Sequence, residues 1–302
     1  MKNDLDNLTI ILVLYKSTDK VLECINNLED LKIIIVDNGG NKKIIEKIVK
    51  KNPLCKIIYP KKNLGFGKAN NLAFQAVSTN YTLLLNPDTN ISKKDIFNMI
   101  SCIDDNKNCA VVVPKIYDAS NFIGGYGIFP EKGKGIRRNY FDQQICNSLE
   151  DKFPSGDICI DTAWASIMLL KNDIIKKTGL FDEKFFMYWE DIEFCKRLRE
   201  KRYSIIMSSS SSAVHYKHLS VKKDIFTNFI INHHSELSPL IYFDVKKNSF
   251  FLYKRLSAYL FRSLTYLLIL NISKSFKNLA KFSGILIFIF TRARGNDSSY
   301  SA

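Results

Sequence analysis

The sequence has no C-x-x-C pair, no uninterrupted apolar run of helix-spanning length, few histidines and too few acids to balance its bases. Its seven cysteines, at positions 24, 55, 102, 109, 146, 159 and 195, are widely separated and odd in number, which speaks against a disulfide framework and fits a reducing compartment. The stretch Phe250 to Ile272 is broken by Lys254, Arg255 and Arg262, and Leu279 to Phe290 has only 12 residues, so neither suits a bilayer span. The first apolar run, Leu8 to Leu14, follows acids rather than bases and has no small-residue cleavage site after it, so no export signal is expected. No internal repeat, RNP motif, helix-turn-helix or zinc-finger spacing occurs, which argues against a nucleic-acid reader although 44 Lys+Arg face 30 Asp+Glu and the formal charge is +14. With 302 residues, 46% of them hydrophobic, the chain can bury one large core or two ordinary ones, and wholesale disorder is excluded.

What is present is an alternation. Leu8 to Leu14 is continuously apolar and rich in β-branched residues, as a strand buried on both faces must be. Lys20 to Leu31 spaces Val21, Leu22, Ile25 and Leu28 for a helix, and Lys32 to Val36 returns to strand before Asp37-Asn-Gly-Gly40. The pattern predicts a helix at 44–49, a strand at 55–59, a helix at 68–77 and a strand at 81–85 stopped by Asn86-Pro-Asp88. Residues 115–160, with glycines close together at 124, 125, 127, 133 and 135, are expected to be loop-rich. Trp164 to Leu170 and Tyr203 to Met207 read as strands, Glu190 to Lys201 as an amphipathic helix, and the serine run 208–212 as a solvated turn. Strands alternating with helices imply an α/β fold with a mostly parallel sheet and helices on both faces.

In such sheets ligands bind beyond the carboxyl ends of the strands. Three polar clusters lie there: Asp37-Asn38, Asn63-Leu-Gly-Phe-Gly-Lys-Ala-Asn-Asn71, and Asn86-Pro-Asp88. Gly65, Gly67 and Lys68 at a helix start allow backbone N–H groups and an ammonium to approach a phosphate; they also suit an ordinary helix-opening turn. Asp88 offers a hard oxygen to Mg²⁺ or Mn²⁺, or is a turn residue. Asp191, after the aromatic run Phe185-Phe-Met-Tyr-Trp189 and beside Glu190, reads as a helix cap or as a general base. His215 and His218, just past a strand, read as a metal ligand and a phosphate contact, or as structural histidines.

Taken in order, Ile10-Ile-Leu-Val-Leu-Tyr15, Ile34-Ile-Val-Asp-Asn-Gly39, the block 63–71, Leu83-Leu-Leu-Asn-Pro-Asp88, Gly179-Leu-Phe-Asp-Glu-Lys-Phe-Phe-Met-Tyr-Trp-Glu-Asp191 and Val214-His-Tyr-Lys-His-Leu-Ser220 resemble family 2 glycosyltransferases of the GT-A fold, in particular their rhamnosyltransferase-like bacterial branch. The resemblance covers about residues 8 to 221. It implies a GT-A, Rossmann-like nucleotide-diphospho-sugar transferase with Tyr15, Asp37, Asn38, Asn63, Gly65, Lys68, Asn71, Asn86, Trp164 and His218 around the nucleotide-sugar donor. It further implies Asp88 and His215 on a divalent cation, Mg or Mn, and Asp191 as the base with Glu190 beside it. Asn86 stands where a first aspartate is common, so it reaches ribose without adding charge. Ala165-Ser166 replaces a Gly-Ala pair, and Tyr216-Lys217 replaces a Gly-Gly.

The expected reaction is a single inverting displacement onto a hydroxyl of a saccharide or lipid-linked saccharide, with rhamnose as one candidate sugar, in cell-surface polysaccharide synthesis. From 222 to the end, 12 Lys/Arg face 4 Asp/Glu, and aromatic and aliphatic faces alternate with cations. That composition divides the chain into a catalytic domain, 1–221, and a basic amphipathic helical region, 222–302. The latter is suited to an anionic membrane surface at the inner face of the cell membrane, or to packing back onto the domain. The rival readings are a nucleotidyltransferase and a non-catalytic basic module that binds membrane or nucleic acid.

Overall fold

The computed structural model describes residues 5–26, 28–118, 121–124, 126–130, 156–216, 221 and 224–291. Strand β1 (Leu8–Leu14) shows why its sequence is apolar throughout: Leu8, Ile10, Leu12 and Leu14 enter one core layer and Ile11 the other. Helix α1 (Lys20–Ile25), β2 (Lys32–Asp37), α2 (Lys42–Lys51), β3 (Lys56–Ile58), α3 (Phe66–Phe74) and β4 (Tyr81–Leu85) continue the alternation. After them come β5 (Thr89–Ile91), α4 (Lys93–Asp105), β6 (Cys109–Asp118), β7 (Asn121–Gly124), β8 (Tyr126–Gly127), β9 (Ile158–Cys159) and β10 (Thr162–Ala163). The chain then forms β11 (Ile167–Lys171), α5 (Asn172–Thr178), α6 (Glu190–Glu200) and β12 (Ser204–His215). Three helices follow, α7 (Ile225–Tyr242), α8 (Phe250–Leu268) and α9 (Ile272–Phe290).

The main sheet has the order β3-β2-β1-β4-β11-β6-β12-β5, with β7 beside β6 and β9 beside β12. Pairings β2·β3, β1·β2, β1·β4 and β6·β12 are parallel, whereas β11 lies antiparallel between β4 and β6 and β5 antiparallel to β12. Helices cover both faces: α1, α2 and α4 pack on the layer that holds Ile10 and Leu83, and α3, α5 and α6 on the layer of Ile11, Ile34 and Leu84. This is the mixed, mostly parallel α/β architecture expected of a GT-A fold, and it puts the ends of β1, β2 and β4 at one edge.

Several local expectations are corrected. The helix predicted over 20–31 ends at Ile25. The serine run 208–212 is not a turn but part of β12: Ser208 and Ser211 are fully buried, and a register shift between Ser208 and Ser212 absorbs the irregularity. Asp95, Asp157 and neighbouring hydroxyls bond these serines, with Ser211 Oγ on the Asp95 carbonyl at 3.1 Å, Ser212 N on Asp95 Oδ1 at 2.8 Å and Ser209 N on Asp157 Oδ1 at 2.7 Å. Within the stretch expected to be loop-rich, β6 continues to Asp118 and β7 pairs with it; Gly125, Gly133 and Gly135 lie outside the described residues. The six described cysteines are free thiols, and Cys146 lies outside the described residues.

The C-terminal helices build a third core from Leu237, Leu240, Leu252, Tyr259, Ile285 and Phe288. Gly284 lets α9 meet α7, since a Cβ there would stand 2.5 Å from the His233 carbonyl oxygen. Helix α7 also packs back onto the domain: Ser238 Oγ donates to the Met187 carbonyl at 2.7 Å, His234 stacks on Phe186 at 4.6 Å, and Trp189 meets Tyr242 at 5.0 Å and Phe243 at 5.3 Å. None of the described helices is long and apolar enough to cross a membrane. Phe250, Phe261, Leu264, Leu267 and Leu268 on α8 nevertheless face solvent.

Burial depresses His233 to about 4 and His234 to about 3, with His233 adding repulsion on His234. Both imidazoles are neutral when folded, whereas in the unfolded chain they titrate near the ordinary value of about 6.5. The stability they support is therefore complete above about pH 6.5 and is lost as pH falls toward the folded values. Thermal melts should move down by several degrees between about pH 7 and about pH 4.5, above most carboxylate titration, and a His233→Gln/His234→Gln chain should show a flatter profile. Equal pH profiles for the two chains would contradict this assignment.

Candidate functional site

The first wall of the site is the turn after β2. Asp37 Oδ1 accepts from Gly39 N at 3.0 Å and from Asn41 Nδ2 at 2.6 Å, while Asn41 Oδ1 receives the Ser17 N–H at 2.7 Å. The chain after β1 is thereby tied to the chain after β2. Tyr15 lies against Gly39, where an added Cβ would sit 3.6 Å from its ring. Lys16 reaches Asp224 Oδ2 at 2.6 Å, and this hydrogen bond pulls the Asp224 carboxyl down to about 2. Asp224 Oδ1 caps α7 through Thr227 N at 2.7 Å, so one carboxylate joins the end of β1 to the start of the C-terminal helices.

Asn38 and Asn63 hold the next loop in place. Asn38 Nδ2 donates to Asn63 Oδ1 at 2.7 Å and to the Gly65 carbonyl at 3.0 Å, and its Oδ1 accepts from Leu64 N at 2.8 Å. Both asparagines thereby fix the shape of the loop 63–65. Gly65 has φ +77°, and a Cβ on it would lie 2.1 Å from the Phe186 carbonyl oxygen, to which Phe66 N donates at 2.9 Å. Asn71 grips Phe181 at both backbone groups, Nδ2 to its carbonyl at 2.8 Å and Oδ1 from its N–H at 3.0 Å. Lys68 pairs with Glu183 at 3.1 Å. The block 63–71 is thus docked on the block 179–191, although more than a hundred residues separate them.

The segment before α6 is bent by two successive left-handed residues, Tyr188 at φ 67° and Trp189 at φ 72°. Such conformations cost about 1–3 kcal/mol each outside glycine and persist where packing enforces them. Here Trp189 is 7% exposed against Tyr242 and Phe243. Arg197 secures the other end of the segment, donating to the carbonyls of Thr178 at 2.7 Å and Gly179 at 2.9 Å and pairing with Glu193. The i,i+4 spacing of Glu193 and Arg197 is the available sequence signal for this clamp. Nothing in the sequence pattern signals the paired left-handed residues.

Asp191 and Glu190 open α6 with different surroundings. Glu190 is 6% exposed, whereas Asp191 is half-buried, its Oδ1 accepting from Ile192 N at 2.9 Å and its Oδ2 lying 3.5 Å from Ala165 N. The residue after Ala165, Ser166, receives Asn86 N on its carbonyl at 2.8 Å. Segment 164–166, with the half-buried Trp164, therefore bridges Asp191 to the turn carrying Asp88. Asp88 itself is 2% exposed and places Oδ1 3.3 Å from Nε2 of His215, the last residue of β12, while its carbonyl accepts from Tyr216 N at 2.9 Å. His218 lies outside the described residues.

Asp88 and His215 provide one oxygen and one nitrogen donor. Two ligands on adjacent vertices of an octahedron with bonds of about 2.1 Å stand about 3 Å apart, close to the observed separation. No group of three His, Cys, Asp or Glu side chains suited to a metal occurs among the described residues. The pair would suit a divalent cation such as Mn²⁺ or Mg²⁺ that needs few protein ligands.

A family model described as Glycosyl transferase family 2 matches residues 9–161. The chain is 26% identical over 216 residues to the low-salt glycan biosynthesis hexosyltransferase Agl10 of Haloferax volcanii, covering 70% of this chain and 67% of that protein. It is also 26% identical over 230 residues to the rhamnosyltransferase WbbL of Escherichia coli K12, covering 69% of this chain and 83% of that one. Among solved structures, GalNAc-T7 crystallised with UDP, GalNAc and Mn²⁺ superposes with a TM-score of 0.53 at 12% identity. That match spans 69% of this chain and 42% of the solved one, so this chain corresponds to about two fifths of that structure's length.

Proposed function

The chain belongs to glycosyl transferase family 2, and from that premise we propose that it moves a sugar, rhamnose or another hexose, from a nucleotide-diphosphate donor to a hydroxyl of a saccharide or lipid-linked saccharide, with inversion. Family membership favours this over the nucleotidyltransferase and non-catalytic readings. The observation that carries the reading is the connection of three distant residues at one sheet edge: Asp88 beside His215, and Asp88's turn joined through Ser166 and Ala165 to Asp191.

The donor would lie across the ends of β1 and β2, with Tyr15 and Asp37 toward its base and Asn86 toward its ribose. The turn geometry leaves Asp37 Oδ2 outside the bonds that fix the loop, all of which use Oδ1. Asp88 and His215 would hold a divalent cation, which when bound supplies positive charge against the departing diphosphate. Asp191, the more exposed of the two carboxylates at the start of α6, accepts the acceptor hydroxyl's proton during attack. Glu190 sits buried beside it, against Gly67 of α3. A single displacement follows, because one base and one leaving group suffice and no protein nucleophile is needed.

In this reading the exposed apolar residues of α8 and α9 rest on an anionic membrane surface, where lipid-linked acceptors lie. The unit 222–302 then serves as a membrane-facing region joined to the catalytic unit 1–221 through α7. The direct test is a screen of dTDP-, UDP- and GDP-sugars with Mg²⁺ or Mn²⁺ against saccharide and lipid-linked acceptors. One donor class should be consumed, with turnover falling at least tenfold in EDTA and likewise in Asp88→Asn. Consumption of none of them, or a rate indifferent to EDTA, would count against the reading.

A further inference from the structure

Helices α8 and α9 enclose a cup of about 350 Å³ lined by Tyr259, Arg262, Tyr266, Lys274, Lys277, Asn278 and Lys281. The lining holds four cations and no carboxylate, although it is made from two helices that could have placed acids opposite bases. The cations share a seam by helical spacing: Tyr259, Arg262 and Tyr266 stand at i, i+3 and i+7 on α8, and Lys274, Lys277, Asn278 and Lys281 at i, i+3, i+4 and i+7 on α9. Like charges at these spacings repel, so an anion that enters the seam relieves that repulsion.

Two of the ammonium groups are positioned by rings. Lys274 Nζ lies 5.4 Å from the Tyr266 ring centre and Lys281 Nζ 5.5 Å from that of Tyr259. One acid, Glu236 of α7, adjoins the cup through Lys281. It is already bound by Arg255 and by the Tyr259 hydroxyl at 2.6 Å, and Lys281 stands 3.6 Å from it. No described carboxylate pairs with Arg262, Lys274 or Lys277. A guanidinium fork and two ammonium groups with no described carboxylate, beside a third shared with Glu236, surround a small open volume and match a compact, multiply charged oxyanion.

We propose that this cup is an anion site for a phosphate-type group, a phosphomonoester or a diphosphate, presented either by a lipid headgroup or free in solution. The exposed apolar residues of α8 occupy a different arc of the helix: Leu264 stands on the order of 200° round from Arg262 at about 3.6 residues per turn. With Phe261 and Leu264 in the acyl boundary, the cup faces the headgroup side, within reach of either source of phosphate. The site uses α8 and α9 alone and does not depend on which residue is the catalytic base.

The test titrates the full chain with inorganic diphosphate in EDTA, which removes cation-dependent binding at Asp88 and His215, and separately measures binding to phosphatidylcholine vesicles with and without phosphatidic acid. Arg262→Gln/Lys277→Gln changes two exposed positions and should preserve the fold, checked by its melt. Diphosphate affinity that drops at least tenfold in this variant assigns free phosphate as a ligand. A phosphatidic-acid increment lost in the variant, with phosphatidylcholine binding kept, assigns the headgroup. If the wild-type chain shows neither binding, or the variant matches it in both, the proposal is overturned. Phe261→Ser/Leu264→Ser is expected to abolish binding to neutral vesicles while leaving diphosphate binding intact, so failure of the membrane reading is distinguishable from failure of the cup.

Discussion

Asp191→Asn should leave donor affinity within about twofold of wild type and slow sugar transfer by on the order of 10²–10⁴, the usual contribution of a positioned general base. The substitution keeps the side chain's shape, and its remaining oxygen can still accept from Ile192 N, so α6 should start where it does now. What is lost is a site for the acceptor's proton. Donor binding measured by titration and transfer measured by product formation separate the two effects. An unimpaired transfer rate would remove Asp191 from the role and turn attention to Glu190, whose 6% exposure places it deeper beneath the segment. The split between binding and rate matters because a merely structural Asp191 would damage both together.

Gly65→Ala should be the most damaging single-methyl change near the site. The added carbon would meet the Phe186 carbonyl oxygen at 2.1 Å and its carbon at 2.8 Å, and φ +77° with ψ −175° is a backbone region essentially reserved for glycine. Relief requires the loop to withdraw, which breaks the hydrogen bond from Phe66 N to Phe186 O at 2.9 Å. Backbone strain and the lost bond together amount to on the order of 3 kcal/mol, enough to lower the melting temperature by several degrees. Because the same loop carries Lys68 and Asn71 onto the 179–191 segment, donor binding and transfer should fall along with stability. A variant that melts with the wild type would show that Phe186 can yield without consequence. Gly67→Ala makes a graded comparison: its Cβ would be 3.0 Å from the Phe181 Cβ, a contact that a small shift relieves.

The parts of the fold that can be read in the sequence are those where one physical demand dominates. Strands β1, β2 and β4 are buried on both faces, and their unbroken apolar runs announce it. The second half of β12 is hidden because its buried serines, Ser208 and Ser211, bond to each other and to the Asp95 carbonyl, while Ser209 and Ser212 bond to Asp157 and Asp95, so the strand needs no apolar run there. Helix α4 carries readable signals that a search for strands passes over: Ser92 accepts from Asp95 N, and Ile96, Met99, Ile100 and Ile103 follow at helical spacing. At the candidate site, the residue types single out Asp88, His215 and Asp191 as candidates, and the fold brings Asp88 beside His215, but the structural bonds of the asparagines are not legible. Asn38, Asn63 and Asn71 are expected near the donor from sequence, and in the fold their amides also bind backbone and one another across separations that only the tertiary structure creates. For the same reason the support of Trp189 by α7 leaves no local trace.

The reversed direction of β11 has a consequence for how specificity can diversify. In register with β4, Ile167 lies opposite Leu85 and Lys171 opposite Tyr81, so it is the chain entering β11, rather than the chain leaving it, that arrives at the ligand edge. A parallel strand in that place would contribute its exit. Here the stretch leading to Trp164, Ala165 and Ser166 can be lengthened, shortened or grafted from a relative while the strand behind it stays anchored on both sides by β4 and β6. The architecture thereby separates an adjustable rim from a fixed floor, and under the proposed function substrate preference would be altered at the rim without renegotiating the sheet.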